Sequence, residues 1–337
     1  MPTRREAGRR RWRPAAVLIA LAAVSPLPAL TQPASATPGT APAVVTPAPA
    51  QRAATDWATL AWGDNTYGQT AIPGAALRGA SAIAAGAFHS LAVKDGAVTA
   101  WGSNLYHQTD VPAALHSDVT AVSGGYLHSL AVKNGQVIAW GSDRYGSTAV
   151  PAAAQTGVDA VAAGQFFSLA LKHGQVLAWG DNRYGQTQTP EGTHTGITAI
   201  AAGAYHALAL TDDGKVIAWG DNRKKQTDVV TPVKNGTATA IAAGKDFSVA
   251  VVGGRVYAWG TAMTNQWVPT TAQTRVVAVA AGYDRIVALR DNGQAIEWKA
   301  NTTALTALPT DAATKVQAIA AGGYHSLALR GDPPSQP

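Results

Sequence analysis

Cysteine is absent from the 337 residues of the chain, and charged residues make up only 14% of it. Without cysteine the chain can form no disulfide, no thiolate nucleophile and no cysteine-based zinc site, so its stability must come from packing. The composition instead provides 34 glycines, 10 tryptophans and a hydrophobic fraction of 47%. That combination is typical of a protein built from strands and turns around a sizeable core.

The formal net charge of +6 is concentrated at the amino terminus. Residues 1–36 contain six arginines and one acidic residue, whereas the rest of the chain has 20 basic and 19 acidic residues. Binding to nucleic acid depends on the neutralisation of phosphates by basic side chains. The nearly balanced charge after residue 36 therefore gives no reason to expect a nucleic-acid partner.

Residues 1–36 predict a signal peptide. An arginine-rich start is followed by an apolar run over residues 15–24 and by Ala34-Ser35-Ala36, which forms a typical cleavage site. An uncleaved membrane anchor is the alternative, but about ten apolar residues are too few to cross a hydrocarbon core of about 30 Å. We therefore expect a secreted, extracellular protein with no membrane contact after cleavage. Residues 37–55, rich in proline, alanine and threonine, predict a linker, and residues 332–337 predict a short tail.

The rest of the chain repeats with a period of 39 or 40 residues. One marker of the repeat is a tryptophan, at Trp62, Trp101, Trp140, Trp179, Trp219, Trp259 and Trp298. A second marker is a glycine, at Gly86, Gly125, Gly164, Gly203, Gly244, Gly282 and Gly322. Within one unit, such as residues 197–232, we identify four short strands, and four strands in about 40 residues are typical of a propeller blade. The sequence thus predicts an all-β fold, a seven-bladed β-propeller over residues 56–331.

Two further features indicate a closed ring. Dipeptides that supply the positive φ angles of tight hairpins recur at one position of the repeat, namely Asp95-Gly96, Asn134-Gly135, Asp213-Gly214 and Asn292-Gly293. The first unit begins with only its tryptophan-containing strand, and the chain ends with the strand that normally precedes it. We therefore expect the N- and C-terminal strands to pair, which completes the seventh blade and removes the open edges of the ring.

Aromatic residues are concentrated in two sets of loops that we expect on one face of the ring. Strands in a blade alternate in direction, so the loops after the Ala-Ala-Gly strands and after the Trp-Gly strands emerge on the same side. Tyr, Trp and Arg dominate the binding energy of many protein interfaces, which predicts a protein-binding surface there. Its predicted residues are Tyr67, Phe88, Tyr106, Tyr126, Tyr145, Phe166, Tyr184, Tyr205, Tyr283 and Tyr324, with Arg144 and Arg183. The alternative is that these aromatic residues cap the blades and recur only because the fold recurs.

No arrangement of residues in the sequence predicts catalysis, a cofactor or a metal. One position of the repeat holds either histidine, phenylalanine or arginine, as His89, His128, Phe167, His206, Phe247, Arg285 and His325. Because phenylalanine can replace neither a metal ligand nor a general base, we interpret these histidines as packing or making one hydrogen bond. The adjacent His-Ser pairs point to opposite faces of a strand and cannot act together. We interpret the Asp-Asn steps after the tryptophans as turn formers.

From about Thr59 to Arg330 the chain resembles RCC1 repeats, in units such as KVIAWGDNRKKQT, VLAWGDNRYGQTQTP and AIAAGAYHALAL. Within that family the chain most resembles the secreted propellers of the type of β-lactamase-inhibitory protein II. The resemblance implies a propeller whose aromatic and acidic loop residues on one face clamp the loop-helix region beside the active site of a class A β-lactamase. The matching aromatic residues are Tyr67, Phe88, Phe166 and Tyr205, whereas Leu127, Asp246 and Asp284 stand where the inhibitor pattern has aromatic residues.

These features together predict a secreted, monomeric, non-catalytic protein that binds a protein partner, with a class A β-lactamase as the leading candidate. The alternative is a secreted RCC1-repeat propeller that binds an unrelated extracellular protein or a cell-wall component. Eukaryotic members of the repeat family act in nuclear exchange and on chromatin. The predicted signal peptide and the balanced charge after residue 36 argue against such a role here.

Overall fold

The structure is a computed structural model that describes residues 57–260 and 267–331. The predicted signal peptide, the linker and the tail lie outside the described residues. Within the described ranges, 21 strands form seven antiparallel sheets of three strands each. The sheets are arranged as blades around a common axis, which confirms the prediction of an all-β, seven-bladed propeller.

Each blade has an inner, a middle and an outer strand. The inner strands are β2 (Ala80–Ala85), β5 (Val119–Gly124), β8 (Val158–Ala163), β11 (Ile197–Ala202), β14 (Ala238–Ala243), β17 (Val276–Ala281) and β20 (Val316–Ala321). The middle strands are β3 (His89–Lys94), β6 (His128–Lys133), β9 (Phe167–Lys172), β12 (His206–Thr211), β15 (Phe247–Val252), β18 (Arg285–Arg290) and β21 (His325–Arg330). The outer strands are β4 (Ala97–Gly102), β7 (Gln136–Gly141), β10 (Gln175–Gly180), β13 (Val216–Gly220), β16 (Arg255–Gly260), β19 (Ala295–Lys299) and β1 (Ala58–Gly63). Blade 1 contains β2 to β4, and blade 7 contains β20, β21 and β1.

The middle and outer strands are joined by the predicted tight turns. Asp95 and Gly96 have φ angles of 51° and 76°, and Asn134 has a φ angle of 49°. Gly214 and Gly293, at the same position of later blades, have φ angles of 81° and 77°. Glycine and asparagine adopt this left-handed region more readily than other residues, so these pairs set the length of each hairpin.

The fourth strand expected in each blade is not formed in the described residues. In the unit of residues 197–232, the segment after β13 consists of turns up to residue 228 and is extended but unpaired at residues 229–230. Backbone N–H groups of this segment donate within the loop rather than to a neighbouring strand. Lys224 N–H donates to Gln226 Oε1 at 2.9 Å and Thr227 N–H to Asn222 Oδ1 at 3.1 Å, while Asp228 N–H donates to the Lys225 carbonyl oxygen at 3.2 Å. The prediction of four strands per blade was therefore wrong, and the blades have three.

Short helical turns lead into the inner strands, except for the turn at Arg144–Gly146, which lies in the loop after β7. Most of them follow a proline, whose fixed φ angle suits a helix start. Two are α-helical, α1 (Gly74–Leu77) and α2 (Thr231–Lys234). The 3-10 turns are Ala113–His116, Arg144–Gly146, Ala152–Gln155, Glu191–Thr193, Thr270–Ala272 and Thr310–Ala313. No helix in the described part of the chain is long and apolar enough to span a membrane.

The inner strands line an axial channel of about 190 Å³. The repeated glycines end these strands, where neighbouring blades approach closely. A methyl group on Gly86 would lie 2.7 Å from the carbonyl oxygen of Gly125, and one on Gly322 would lie 2.3 Å from that of Gly86. Backbone hydrogen bonds cross the same gap, from Ala87 N–H to Gly125 O (3.0 Å) and from Gly323 N–H to Gly86 O (3.1 Å). Glycine is thus required here because the backbones of adjacent blades are in contact.

The core consists of seven apolar layers, one between each pair of neighbouring blades. Each layer contains one of the repeated tryptophans, which are all 7% exposed or less. Trp101 of blade 1, for example, lies in one cluster with Leu327 and Leu329 of blade 7. The middle strands are buried on both faces, as their continuous apolar sequence indicates.

The ring closes through the two ends of the described chain, as the sequence predicts. Strand β1 pairs in antiparallel fashion with β21 over six residues, with Trp62 opposite Ser326 and Gly63 opposite His325. Blade 7 is therefore made from both ends of the propeller.

Candidate protein-interaction surface

Two sets of loops form one face of the propeller, as strand direction predicts. The inner-to-middle loops lie against the loops that follow the outer strands, and backbone hydrogen bonds join the two sets. Ser103 N–H donates to the Phe88 carbonyl oxygen, and Asp221 N–H donates to that of Tyr205, each at 2.8 Å. The backbones of the loops that carry the aromatic side chains are therefore held by the blade framework.

Aromatic rings from different blades are in contact near the axis. The ring centroid of Phe88 lies 5.4 Å from that of Tyr67, 5.5 Å from that of Tyr126 and 6.5 Å from that of Tyr324. Tyr283 is 6.1 Å from Tyr126 and 5.8 Å from Tyr324, which closes the group. Such distances and the mostly edge-to-face orientations are favourable for aromatic pairs.

The contacts continue from the axis towards the rim. Phe166 lies 5.5 Å from Tyr126 and 5.3 Å from Tyr145, measured between ring centroids. The guanidinium carbon of Arg144 is 5.3 Å from the ring centroid of Tyr145 and 5.7 Å from that of Phe166. These distances are within the range of cation–π attraction.

A third group extends the surface to blades 3 and 4. Tyr184 and Tyr205 are 5.2 Å apart. Arg183, next to Tyr184 in the chain, places its guanidinium carbon 4.5 Å from the ring centroid of Tyr145, and that of Arg223 is 4.1 Å from Tyr184. We call the nine rings of these three groups the aromatic patch: Tyr67, Phe88, Tyr126, Tyr145, Phe166, Tyr184, Tyr205, Tyr283 and Tyr324.

The structure brings together eleven of the twelve residues predicted for this surface. The exception is Tyr106, which lies in an equivalent loop but has no ring contact within the described residues, since its neighbouring blade has Leu127 at the position of Phe88. Tyr67, Tyr106, Tyr145 and Tyr324 are 40 to 47% exposed, whereas Phe166 is only 8% exposed. Phe166 therefore supports the patch from below, and the exposed tyrosines offer most of the surface.

Sequence reasoning missed the buried glutamines that hold the tyrosine loops. Gln69 is fully buried, its Oε1 accepts a hydrogen bond of 2.8 Å from Tyr67 N–H, and its Nε2 donates one of 2.8 Å to Asp64. Gln108 and Gln186 accept the same bond from the next tyrosine loops at 2.9 Å. A Gln-Thr pair could have revealed them, since it recurs with the period of the repeat, two residues after the loop tyrosine or its equivalent. The glutamines of this pair are Gln69, Gln108, Gln186 and Gln226.

The aspartates that follow the Trp-Gly steps form turns, as predicted. Oδ1 of Asp181 accepts hydrogen bonds from the Arg183 backbone N–H at 3.1 Å and from Arg183 Nε at 2.9 Å. Burial raises the pKa of Asp181, but the hydrogen bonds and the charge of Arg183 more than offset this and hold the pKa below its ordinary value. The carboxylate is therefore ionised at neutral pH.

The histidines connect neighbouring blades. Nε2 of His89 lies 2.9 Å from Ser129 Oγ of the next blade, and Nε2 of His325 lies 2.8 Å from Ser90 Oγ. Each of these serines donates its own proton to a loop carbonyl, as Ser90 does to Gln69 O at 2.8 Å. The interpretation that these histidines pack or make one hydrogen bond agrees with this: each is buried and makes one bond, to a serine of the adjacent blade.

These His–Ser pairs are not accessible to a substrate. Burial lowers the pKa of His89 to about 3 and those of His128, His206 and His325 to about 4. The histidine and serine side chains of the pairs are 0 or 1% exposed. Within residues 57–260 and 267–331, no group of three or more His, Asp or Glu is placed to hold a metal ion.

Three segments of the chain match the family model of the Regulator of chromosome condensation (RCC1) repeat, at residues 80–108, 158–186 and 197–226. These three segments are similar to RCC1 repeats. The segments lie in blades 1, 3 and 4, and each runs from the start of an inner strand to the buried glutamine of the following loop. No curated protein matches the chain in sequence.

Solved structures share the fold. Human WBSCR16 aligns with a TM-score of 0.64 at 18% identity, covering 81% of this chain and 98% of that one. Prp20p from Saccharomyces cerevisiae aligns with a TM-score of 0.62 at 18% identity, covering 82% and 91%. The ectodomain of the Physcomitrella patens receptor kinase CR4 aligns at 0.60 with 21% identity, covering 76% and 71%. These similarities establish an RCC1-like propeller, and the closer resemblance to β-lactamase-inhibitory protein II stays a prediction.

Proposed function

We propose that the protein is a secreted, non-catalytic propeller that binds a protein partner with the aromatic patch. The observation that carries this proposal is the gathering of nine rings from six of the seven blades on one face. A purely structural role as blade caps would not require three tyrosines of the patch, Tyr67, Tyr145 and Tyr324, to be 40 to 46% exposed. Exposed aromatic residues in a connected group are typical of interaction sites.

The framework under the patch reduces the cost of binding. The buried glutamines fix the tyrosine loops, and the hydrogen bonds between the two loop sets fix their relative positions. Side chains that are already ordered lose little conformational freedom when a partner docks. An interface of standard size covers about 800 Å² on each partner, with most of the energy supplied by a few aromatic and arginine residues.

Protein partners are also found among the similar structures. Prp20p was characterised for its binding properties to Gsp1p and histones, and yeast RCC1 (Prp20) was solved bound to Kap60. For this chain, the resemblance of its repeats to secreted inhibitor propellers favours a class A β-lactamase as the partner. Occlusion of the region beside the active site would then block substrate entry without any chemistry by the propeller.

The proposal is tested by titrating a panel of class A β-lactamases with the purified protein while a chromogenic substrate reports their activity. We expect at least one enzyme to be inhibited at or below micromolar protein. If none is inhibited, the β-lactamase is removed as the partner, and the alternative of an unrelated extracellular protein or a cell-wall component takes its place. Sedimentation with purified peptidoglycan distinguishes that last possibility.

A further inference from the structure

Arginines and tyrosines alternate along the rim of the candidate surface, in the loops that follow the outer strands of blades 2, 3 and 4. Arg144 and Arg183 both lie over Tyr145, with guanidinium carbons 5.3 and 4.5 Å from its ring centroid. Arg223 lies 4.1 Å from the ring centroid of Tyr184. We call these five residues the arginine–tyrosine ladder. Its guanidinium groups lie over tyrosine rings, and these contacts limit the rotamers that each arginine can adopt.

Two arginines of the ladder are held in place by buried carboxylates. Arg183 Nε and Nη2 donate to the two oxygens of Asp181, each at 2.9 Å, and Arg223 donates to Asp221 at 2.9 and 3.0 Å. The aspartate side chains are 2 and 3% exposed, whereas those of Arg183 and Arg223 are 50 and 62% exposed. The negative charge of each pair is therefore inside the loop, and its positive charge faces the solvent.

The guanidinium groups retain donors for a second partner. Each has five N–H groups, and the aspartate takes the one on Nε and one on Nη2. The donors that remain can form the paired, parallel hydrogen bonds that carboxylates accept from arginine. Because rotation is restricted by the aspartate and the tyrosine ring, less entropy is lost when such a pair forms.

The charge of the neighbouring loops agrees with this. Lys224 and Lys225, in the loop after β13, and Lys245, in the inner-to-middle loop of blade 5, are exposed. The exposed acids Asp143 and Asp228 accept hydrogen bonds from Thr148 and Asn222, and Asp246, beside Lys245, is partly buried. The face thus changes from aromatic around the axis to cationic at blades 4 and 5.

We propose that the partner inserts an acidic segment, whose carboxylates pair with Arg183 and Arg223 while its apolar residues lie on the aromatic patch. This inference rests on the proposed protein-binding function and assigns the chemistry of the segment that is recognised. A protein segment is favoured over an anionic polymer because the ladder is continuous with an apolar, aromatic surface that a polymer of phosphates would leave uncovered.

The test is a selection of random displayed peptides on the immobilised full-length protein, followed by anisotropy titration of the enriched peptides. We expect Asp or Glu beside Leu, Phe or similar residues in the enriched sequences, and affinity that falls as salt concentration rises. The variants are Arg183→Gln with Asp181→Asn and Arg223→Gln with Asp221→Asn, since removal of both partners leaves no buried charge unpaired. Each double variant is expected to weaken binding about tenfold or more, while Arg255→Gln, on the opposite face, leaves it unchanged.

Three results would overturn the inference. The first is peptide enrichment on the protein that is no greater than on the double variants, and the second is enriched peptides without acidic residues. The third is inorganic polyphosphate that competes with the peptides equally well on the unchanged protein and on the Phe88→Ala variant. Circular dichroism and thermal unfolding establish that the double variants are folded. Arg183→Lys keeps the positive charge and loses the planar guanidinium, so it tests the paired hydrogen bonds separately from the charge. Inhibition of a β-lactamase that is unaffected by the double variants would refute the acidic segment and leave the proposed function standing. If acidic peptides bind but no β-lactamase is inhibited, the acidic segment stands and the β-lactamase is removed as the partner.

Discussion

The carboxylate of Glu297 in blade 6 accepts a hydrogen bond of 2.8 Å from the indole nitrogen of Trp62, which lies 235 positions earlier in the chain. Ser326 Oγ donates to the same oxygen at 2.7 Å, and Arg285 Nη1 donates to the other at 3.2 Å. For the serine and tryptophan of blades 1, 2 and 3, a loop carbonyl accepts these two bonds, as Gln69 O does from Ser90 and Trp101. At the blade that contains both chain ends, a buried side chain thus replaces the loop carbonyl.

Replacement of Glu297 by Ala is expected to lower the free energy of unfolding by about 3–5 kcal/mol, because it leaves the buried Arg285 without its buried counter-charge. Urea unfolding followed by tryptophan fluorescence measures the change. Glu191→Ala is the matched control, since Glu191 is exposed and its loss is expected to stay within about 0.5 kcal/mol. Equal stability of the two variants would show that Glu297 does not secure the closure.

Substitution at the axial glycines is expected to be costly even though alanine is a small residue. A Cβ on Gly322 would lie 2.3 Å from the Gly86 carbonyl oxygen and 2.5 Å from His325 Cε1, whereas nothing lies within 4 Å of a Cβ on Gly74. Gly322→Ala should therefore destabilise the protein by about 1–3 kcal/mol through overpacking. Gly74→Ala, at the start of α1, should be neutral or slightly stabilising. Thermal unfolding of both variants measures the difference, and a neutral Gly322→Ala would contradict the close approach of the blades.

The buried histidines predict a loss of stability in mild acid. Their pKa values of about 3 to 4 in the folded protein lie below the 6.5 of an unfolded histidine. The unfolded chain therefore binds more protons between pH 6.5 and about 4, and the free energy of unfolding falls as the pH drops through this range. The slope should reach about 1.4 kcal/mol per pH unit for each histidine, measured by urea unfolding at a series of pH values.

A matched variant isolates one histidine from that slope. Blades 3 and 4 pair Phe167 with Ala207 at the positions where blades 2 and 3 pair His128 with Ser168. The double variant His128→Phe with Ser168→Ala copies this apolar pair, so it should reduce the slope between pH 6.5 and 4 by the contribution of one proton. An unchanged slope would mean that His128 does not titrate as a buried neutral group.

The aromatic patch itself is tested with the partner that the titration or the peptide selection provides. Phe88→Ala and Tyr205→Ala are each expected to weaken binding by about 2 kcal/mol or more, as for aromatic anchors of other interfaces. Leu77→Ala, an exposed apolar truncation on the opposite face, is the control and should have no effect. Loss of affinity in the control as large as in Phe88→Ala would place the interface elsewhere on the propeller.

The difference between the predicted and the observed strand number has a local cause. The segment around Gln226 and Thr227 reads as extended, but the side-chain amides of Gln226 and Asn222 accept hydrogen bonds from nearby backbone N–H groups, and such bonds compete with a strand ladder. The His–Ser pairs show the converse. The sequence indicated that adjacent His89 and Ser90 cannot meet, and only the ring arrangement shows that each meets a partner from the neighbouring blade.

The amino-acid sequence alone determined the number of blades, the tight turns and the closure by the terminal strands, since all of these follow from a period of 39 or 40 residues and from incomplete first and last units. It also placed the aromatic loops on one face, because strand direction alternates regularly. Only the tertiary structure decided which side chains touch. Glu297 with Trp62, and Arg183 with Tyr145, are brought together by the curvature of the ring, and no local pattern of residues encodes the distance between neighbouring blades.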